Sequence, residues 1–141
     1  MKSLDYSLSQ IGEAARFILD NAHSKIVCFK GDLGAGKTTL IKEICTILEI
    51  EGQVQSPTFG IANEYTLMDS GESIFHLDCY RINCSEEALD FGIEEYLNNG
   101  KYVFIEWPDI VDSLLPEMRT EIVILLLNHE SRRLTLKNFN T

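Results

Sequence analysis

The sequence has 141 residues, 45% hydrophobic and 24% charged, a size and composition that suit one folded domain and argue against extended disorder. Its 22 acidic residues outnumber the 12 basic ones for a net charge of −10. That balance disfavours binding nucleic acid alone, because such affinity comes largely from Lys and Arg displacing counterions from phosphates. The opening Met1-Lys2-Ser3-Leu4-Asp5 lacks a signal-peptide pattern and no stretch approaches 18 apolar residues, so a cytoplasmic protein with no membrane contact is expected.

Ser7 and Gln10 have the spacing of a capping box. Behind them Ile11, Ala14, Ala15, Ile18 and Leu19 follow helical spacing, which predicts a helix to about Asp20. Ile26-Val27-Cys28-Phe29 is a continuous apolar run, as a strand covered on both faces requires, and it leads into a glycine-rich segment. Leu40, Ile41, Ile44, Cys45, Ile47 and Leu48 give the inner face of a second helix ending near Gly52. Ser56-Pro57-Thr58-Phe59 interrupts the pattern at its proline. Phe59, Ile61, Tyr65 and Leu67 then alternate as in a strand, Asp69-Ser70-Gly71-Glu72 reads as a turn, and Ile74 to Leu77 returns, which predicts an antiparallel hairpin.

Ser85-Glu86-Glu87 has the serine and acids that start a helix. Leu89, Ile93, Tyr96 and Leu97 form its apolar face, and Asn98-Asn99-Gly100 ends it. Tyr102-Val103-Phe104-Ile105 is a second buried strand and stops at Glu106-Trp107-Pro108; a short helix is expected over Ile110 to Leu115. Ile122 to Leu127 and Leu134 to Lys137 read as strands around a turn at His129-Glu130-Ser131. The cysteines, Cys28, Cys45, Cys79 and Cys84, show no CxxC spacing and read as buried thiols. His23, His76 and His129 show no ligand spacing either, and Asp90-Phe91-Gly92 is a chance match to a kinase motif, since no His-Arg-Asp loop occurs.

The chemistry concentrates in Gly31-Asp32-Leu33-Gly34-Ala35-Gly36-Lys37-Thr38, which matches GxxxxGK[ST] at Gly31, Gly36, Lys37 and Thr38. A triphosphate needs many donors in a small volume, and backbone N–H groups converging from a loop of small residues supply them. The helix that follows adds its N-terminal dipole. The nucleotide contacts expected are therefore Gly31, Leu33, Gly34, Ala35, Gly36, Lys37, Thr38 and Thr39, with Lys37 at the β and γ phosphates and the Thr38 hydroxyl in the shell of Mg2+. No Asn-Lys-x-Asp marks guanine specificity, so ATP is the expected nucleotide. With a buried strand before the loop and an amphipathic helix after it, the fold expected is α/β: a P-loop NTPase-like, three-layer fold with a central mixed sheet, as a single domain over 1–141.

Magnesium in such sites takes a carboxylate from the end of an adjacent buried strand. Asp78 and Glu106 both fit, one to hold the metal and the other to orient the attacking water, and Glu106 follows the stronger apolar run. Thr58 lies in a loop of the kind that can sense the γ-phosphate, although from the residues alone an ordinary turn is the preferred reading. Trp107 reads either as core or as an exposed aromatic beside the nucleotide that contacts a partner.

Four blocks in order, GDLGAGKTTL from Gly31, SPTF from Ser56, HLDCYR from His76 and IEWP from Ile105, make the chain resemble the TsaE family, small bacterial ATPases of tRNA threonylcarbamoyladenosine synthesis. Glu86 to Ile93 is similar to that family's acidic helix, and the likeness runs from about Asp5 to Pro108. The resemblance implies hydrolysis of ATP in support of two partners, TsaD and TsaB, that modify tRNA, with tRNA met only through that complex. It implies Thr38 and Glu106 as magnesium ligands, with no other metal, and Lys37, Asp78 and Glu106 as the catalytic set. Trp107 matches the family's functional tryptophan, a partner contact, and Thr58 falls in its switch-like segment. Cys79 stands where a larger apolar residue is usual. Arg132 or Arg133 of the C-terminal hairpin is a further nucleotide contact, set against the plainer reading of a solvated turn; Arg132 is the one carried forward. The competing functions are a small-molecule P-loop kinase, which would need an arginine-rich lid, and a non-hydrolysing nucleotide-binding regulatory module.

Overall fold

Ile26, Val27, Cys28 and Phe29 are all buried, and the strand they form is covered on both faces and paired on both edges. The computed structural model describes residues 1–52 and 61–139. Along the chain run β1 (Lys2–Ser7), a 3-10 turn (Leu8–Gln10), α1 (Ile11–Asn21), β2 (Ile26–Gly31), α2 (Lys37–Leu48), β3 (Ala62–Thr66) and β4 (Ser73–Asp78). Then come α3 (Ser85–Asp90), α4 (Ile93–Asn98), β5 (Tyr102–Glu106), a 3-10 helix (Pro108–Leu114), β6 (Arg119–Leu126) and β7 (Ser131–Phe139). Among the described residues seven strands make one sheet in the order β1-β7-β6-β2-β5-β4-β3. It is mixed: β2 lies parallel to β5 and β6, and β4 parallel to β5, while β3–β4, β6–β7 and β1–β7 are antiparallel.

Because successive side chains of a strand point to opposite faces, the sheet carries two cores. Val27 and Phe29 with Phe104, Ile122 and Ile124 pack under Ala14, Ala15 and Ile18 of α1 and Leu40, Ile41 and Ile44 of α2. Ile26, Cys28, Val103 and Ile105 face the other way, onto Ala88, Ile93, Leu97 and Val111. Helix, sheet and helix thus form three layers, as the sequence predicts. Among the described residues no helix is long and apolar enough to cross a membrane.

The differences from expectation are local. Lys2–Ser7 carries too little apolar alternation to read as a strand, yet it pairs residue for residue with β7, buries Tyr6 and caps that edge of the sheet. Gln10 Oε1 accepts from the Ser7 N–H at 3.0 Å, as the capping spacing predicts. Gly92, at φ 85°, splits the expected single helix into α3 and α4, and the resulting change of phase leaves Leu89 exposed while Ala88 is buried. Ser85 is the first helical residue of α3, with Cys84 at the cap. Glu49, also left-handed, ends α2 short of Gly52. Cys28, Cys45 and Cys79 are buried, but Cys84 is exposed, because it stands on that cap outside the core.

Candidate functional site

β2 delivers Gly31 to the end of the sheet, and α2 begins at Lys37 directly after Gly36, whose φ of 101° turns the loop into the helix. A side chain at Gly31 would set its Cβ 2.8 Å from the Ile124 carbonyl oxygen of β6, so the close approach of loop and strand requires glycine there. The first N–H groups of α2 have no acceptor within the helix and point into the same space. Alongside, register fixes the acids. β4 and β5 are parallel with Asp78 opposite Glu106, so the last residues of both strands stand beside the loop. Phe104 and Ile74, which share their face of the sheet, pack in the core under α1 and α2.

Leu33, Gly34, Gly36, Lys37, Thr38 and Thr39 on one side, and Asp78, Tyr80, Glu106 and Trp107 on the other, line a cavity of about 260 Å³. It lies beyond the carboxyl ends of the parallel strands, where α/β sheets place their ligands. The Thr38 hydroxyl donates to Glu106 Oε1 at 2.7 Å, and His76 Nε2 lies 2.6 Å from Glu106 Oε2. Burial by itself would push the Glu106 carboxyl up. The hydrogen bond and charge of His76, the Thr38 hydroxyl and the nearby Lys37 outweigh it and hold Glu106 below the ordinary glutamate value.

Lys37 is buried, and its ammonium donates to the carbonyls of Gly31 (2.7 Å) and Asp32 (3.0 Å). The Trp107 ring covers it at 4.1 Å, a cation–π distance. Desolvation lowers the Lys37 pKa, opposed by the charges of Glu106, Asp32 and Asp78. Trp107 is itself left-handed at φ 56°, a conformation that costs an L-residue about 1–3 kcal/mol and persists only where its surroundings hold it. Tyr80 lies against it, ring centres 4.9 Å apart. Asp78 accepts from the Tyr80 N–H at 3.1 Å.

Of the residues singled out from sequence, Leu33, Gly34, Gly36, Lys37, Thr38, Thr39, Asp78, Glu106 and Trp107 therefore meet at one cavity. Gly31 contributes its carbonyl to Lys37, and Ala35 turns its side chain into the core. Trp107 is half-buried: it packs on the second core, and its ring also faces the loop over Lys37. Arg132 reaches back from β7 and donates through Nε to the Ala35 carbonyl at 2.9 Å, so it braces the loop rather than solvating a turn. Arg133 pairs instead with Asp5 of β1 at 2.7 Å. Thr58 lies outside the described residues.

Two neighbours were not singled out. His76 shows no ligand spacing, but its position two residues before Asp78 on one strand is the available signal that both side chains leave the same face. Tyr80, in the turn after β4, had no such signal, because its contact with Trp107 depends on how two loops meet. The pairing of Thr38 with Glu106 suits a small hard cation. Both groups offer oxygen, they already approach to 2.7 Å, and Mg2+ is typically bound by one or two carboxylates with the rest of its shell from water and phosphate.

A mixed sheet whose central strand runs through a glycine-rich loop into a helix, with carboxylates at the ends of the neighbouring strands, is P-loop NTPase-like. The crystal structure of Bacillus subtilis YdiB shares it, with a TM-score of 0.72 and 26% identity over 99% of this chain and 87% of that one. The chain belongs to the TsaE family: the family model described as threonylcarbamoyl adenosine biosynthesis protein TsaE matches residues 6–134. Relatives named tRNA threonylcarbamoyladenosine biosynthesis protein TsaE occur in Haemophilus influenzae (35% identical, 80% of this chain and 72% of that one) and Bacillus subtilis (36%; 78% and 67%). A Rickettsia typhi relative of the same name is 37% identical over 82% of this chain and 78% of its own.

Proposed function

We propose that the chain is a magnesium-dependent ATPase that supports the TsaD–TsaB complex in forming threonylcarbamoyladenosine on tRNA, in the cytoplasm and as one domain. The observation that carries the chemistry is the 2.7 Å contact between the first-turn hydroxyl of α2 and the carboxylate at the end of β5, at the mouth of the glycine-rich loop. Family membership carries the biological setting.

In this reading the loop and the first turn of α2 surround the phosphates with backbone N–H groups, and Lys37 exchanges its two carbonyl partners for β and γ phosphate oxygens. Thr38 and Glu106 would hold Mg2+, which neutralises the charge that develops as the terminal phosphoryl group leaves. Among the described residues the Asp78 carboxylate accepts from the neighbouring Tyr80 N–H, and in this reading it orients the attacking water. Water oxygen attacks the γ phosphorus, the bond to the β-phosphate oxygen breaks, ADP leaves with that electron pair, and the water proton passes to solvent by way of Asp78 or the phosphate. Trp107 and Tyr80 close one side of the cavity and form the surface offered to a partner. Arg132 holds the Ala35 carbonyl and so keeps the loop in register.

Purified protein should release phosphate from ATP slowly, only with Mg2+, and change its rate when TsaD and TsaB are added. Absence of Mg2+-dependent phosphate release, alone and with both partners, would sink this reading. Phosphate appearing on a nucleoside or sugar would replace it with the kinase.

A further inference from the structure

We propose that His76 is a positioning residue for Glu106: its ring N–H pins one carboxylate oxygen, so that the other alone, beside the Thr38 hydroxyl, faces a divalent cation. The proposal rests on the reading of the loop as a magnesium–nucleotide site. His76 stands opposite Phe104 in the β4–β5 register, two residues before the Asp78–Glu106 pair, so the ring leaves the sheet on the same face as both acids. It is 4% exposed and Glu106 is 3% exposed, so water does not compete for the contact. An ionised carboxylate can only accept, which makes the 2.6 Å approach a hydrogen bond donated by Nε2 to Oε2.

The other oxygen, Oε1, is the one that meets Thr38. A glutamate has three rotatable side-chain bonds and two equivalent oxygens, and could swing or grip a cation with both. Mg2+ demands near-octahedral geometry and retains several waters, so a carboxylate fixed to present one oxygen is the better ligand. Partners that orient a metal ligand in this way cost about 10–100-fold in metal affinity or activity when removed. A histidine that merely satisfied a buried acid would affect folding but leave metal affinity unchanged once the fold was retained.

The test uses the full chain, with Mn2+ and a non-hydrolysable ATP analogue as probes, and reads Mn2+ affinity by electron paramagnetic resonance. His76→Phe keeps a ring and removes the donor; His76→Gln returns an N–H near the position of Nε2, whereas His76→Asn returns one near Nδ1. The expected result is a Mn2+ Kd raised about 10–100-fold in His76→Phe, largely restored in His76→Gln and not in His76→Asn, with affinity for the metal-free analogue unchanged in all three. Wild-type Mn2+ affinity in a folded His76→Phe overturns the proposal. If that variant does not fold, equal affinity in the Gln and Asn variants overturns it. Glu106→Ala separates this from the underlying reading. If Glu106→Ala loses Mn2+ while His76→Phe keeps it, only the role of His76 fails. If Glu106→Ala binds Mn2+ as tightly as wild type, the magnesium site itself fails, and the proposal with it.

Discussion

Lys37 carries the strongest cationic claim on a phosphate in the cavity, and it is already desolvated, with two of its three N–H groups on loop carbonyls. Exchanging carbonyl dipoles for phosphate charge is favourable in such a site, so Lys37→Ala should lower turnover by about 10²–10³-fold, the usual effect of removing one preorganised donor; a rate within threefold of wild type would remove Lys37 from the catalytic set. The cysteines test burial at the same scale. Desolvation pushes the thiols of Cys28, Cys45 and Cys79 up to about 12, whereas Cys84 is exposed. Native protein at pH 8 should take up one equivalent of iodoacetamide, at Cys84, and denatured protein four, read by mass spectrometry. Because the unfolded thiols ionise at lower pH than the folded ones, their contribution to stability should be lost as pH rises from about 9 towards about 12. Gly31 to Thr38, Asp78 and Glu106 were legible because each is announced by its immediate neighbours. The contacts of His76 with Glu106 and of Arg132 with the Ala35 carbonyl were not, since those partners lie 30 and 97 residues away and only the folded sheet brings them together.

At the scale of elements, the loop is braced by Arg132 of β7, which donates to the Ala35 carbonyl. Behind Gly36 stands Arg132, with Nε 3.3 Å from where a Cβ would be, and the glycine has a φ of 101°. Gly36→Ala should therefore cost about 1–3 kcal/mol in strain, seen as a lower melting temperature together with weaker nucleotide binding; an unchanged melting temperature would contradict the strain. β1 offers a sharper test. Tyr6 is 4% exposed, and its hydroxyl is buried with no hydrogen-bond partner among the described residues. An unsatisfied buried hydroxyl destabilises, so Tyr6→Phe should leave the melting temperature equal or higher, whereas Tyr6→Ala should cost about 3–5 kcal/mol as a large core deletion. A clear loss in Tyr6→Phe would show that the hydroxyl has a partner. The central strands β2 and β5 were readable from unbroken apolar runs, and the β3–β4 hairpin from alternation around a turn. β1 and the break at Gly92 were not: the first is an edge strand stabilised by pairing with the far end of the chain, and the second depends on one glycine adopting a left-handed conformation within an otherwise helical pattern.

Across the whole molecule, the sheet, in which β6, β2, β5 and β4 pair in parallel and β3, β7 and β1 are joined by antiparallel pairings, places every proposed active group at one end, and the chain carries a net charge of −10. That charge fits a protein that meets tRNA through others. Co-purification with TsaD and TsaB should accordingly depend on nucleotide and weaken in Trp107→Ala, a half-buried residue on the wall of the cavity; equal recovery with and without ATP, and in the variant, would separate the cavity from the partner surface. The most direct measurement is single-turnover hydrolysis of radiolabelled ATP by wild type and Glu106→Gln, with Mg2+ and with chelator. The predicted result is phosphate release by wild type with Mg2+ only, lost in Glu106→Gln although that variant still binds ATP. Equal release by both proteins, or release by wild type in chelator, would contradict a site built from the glycine-rich loop, Thr38 and Glu106.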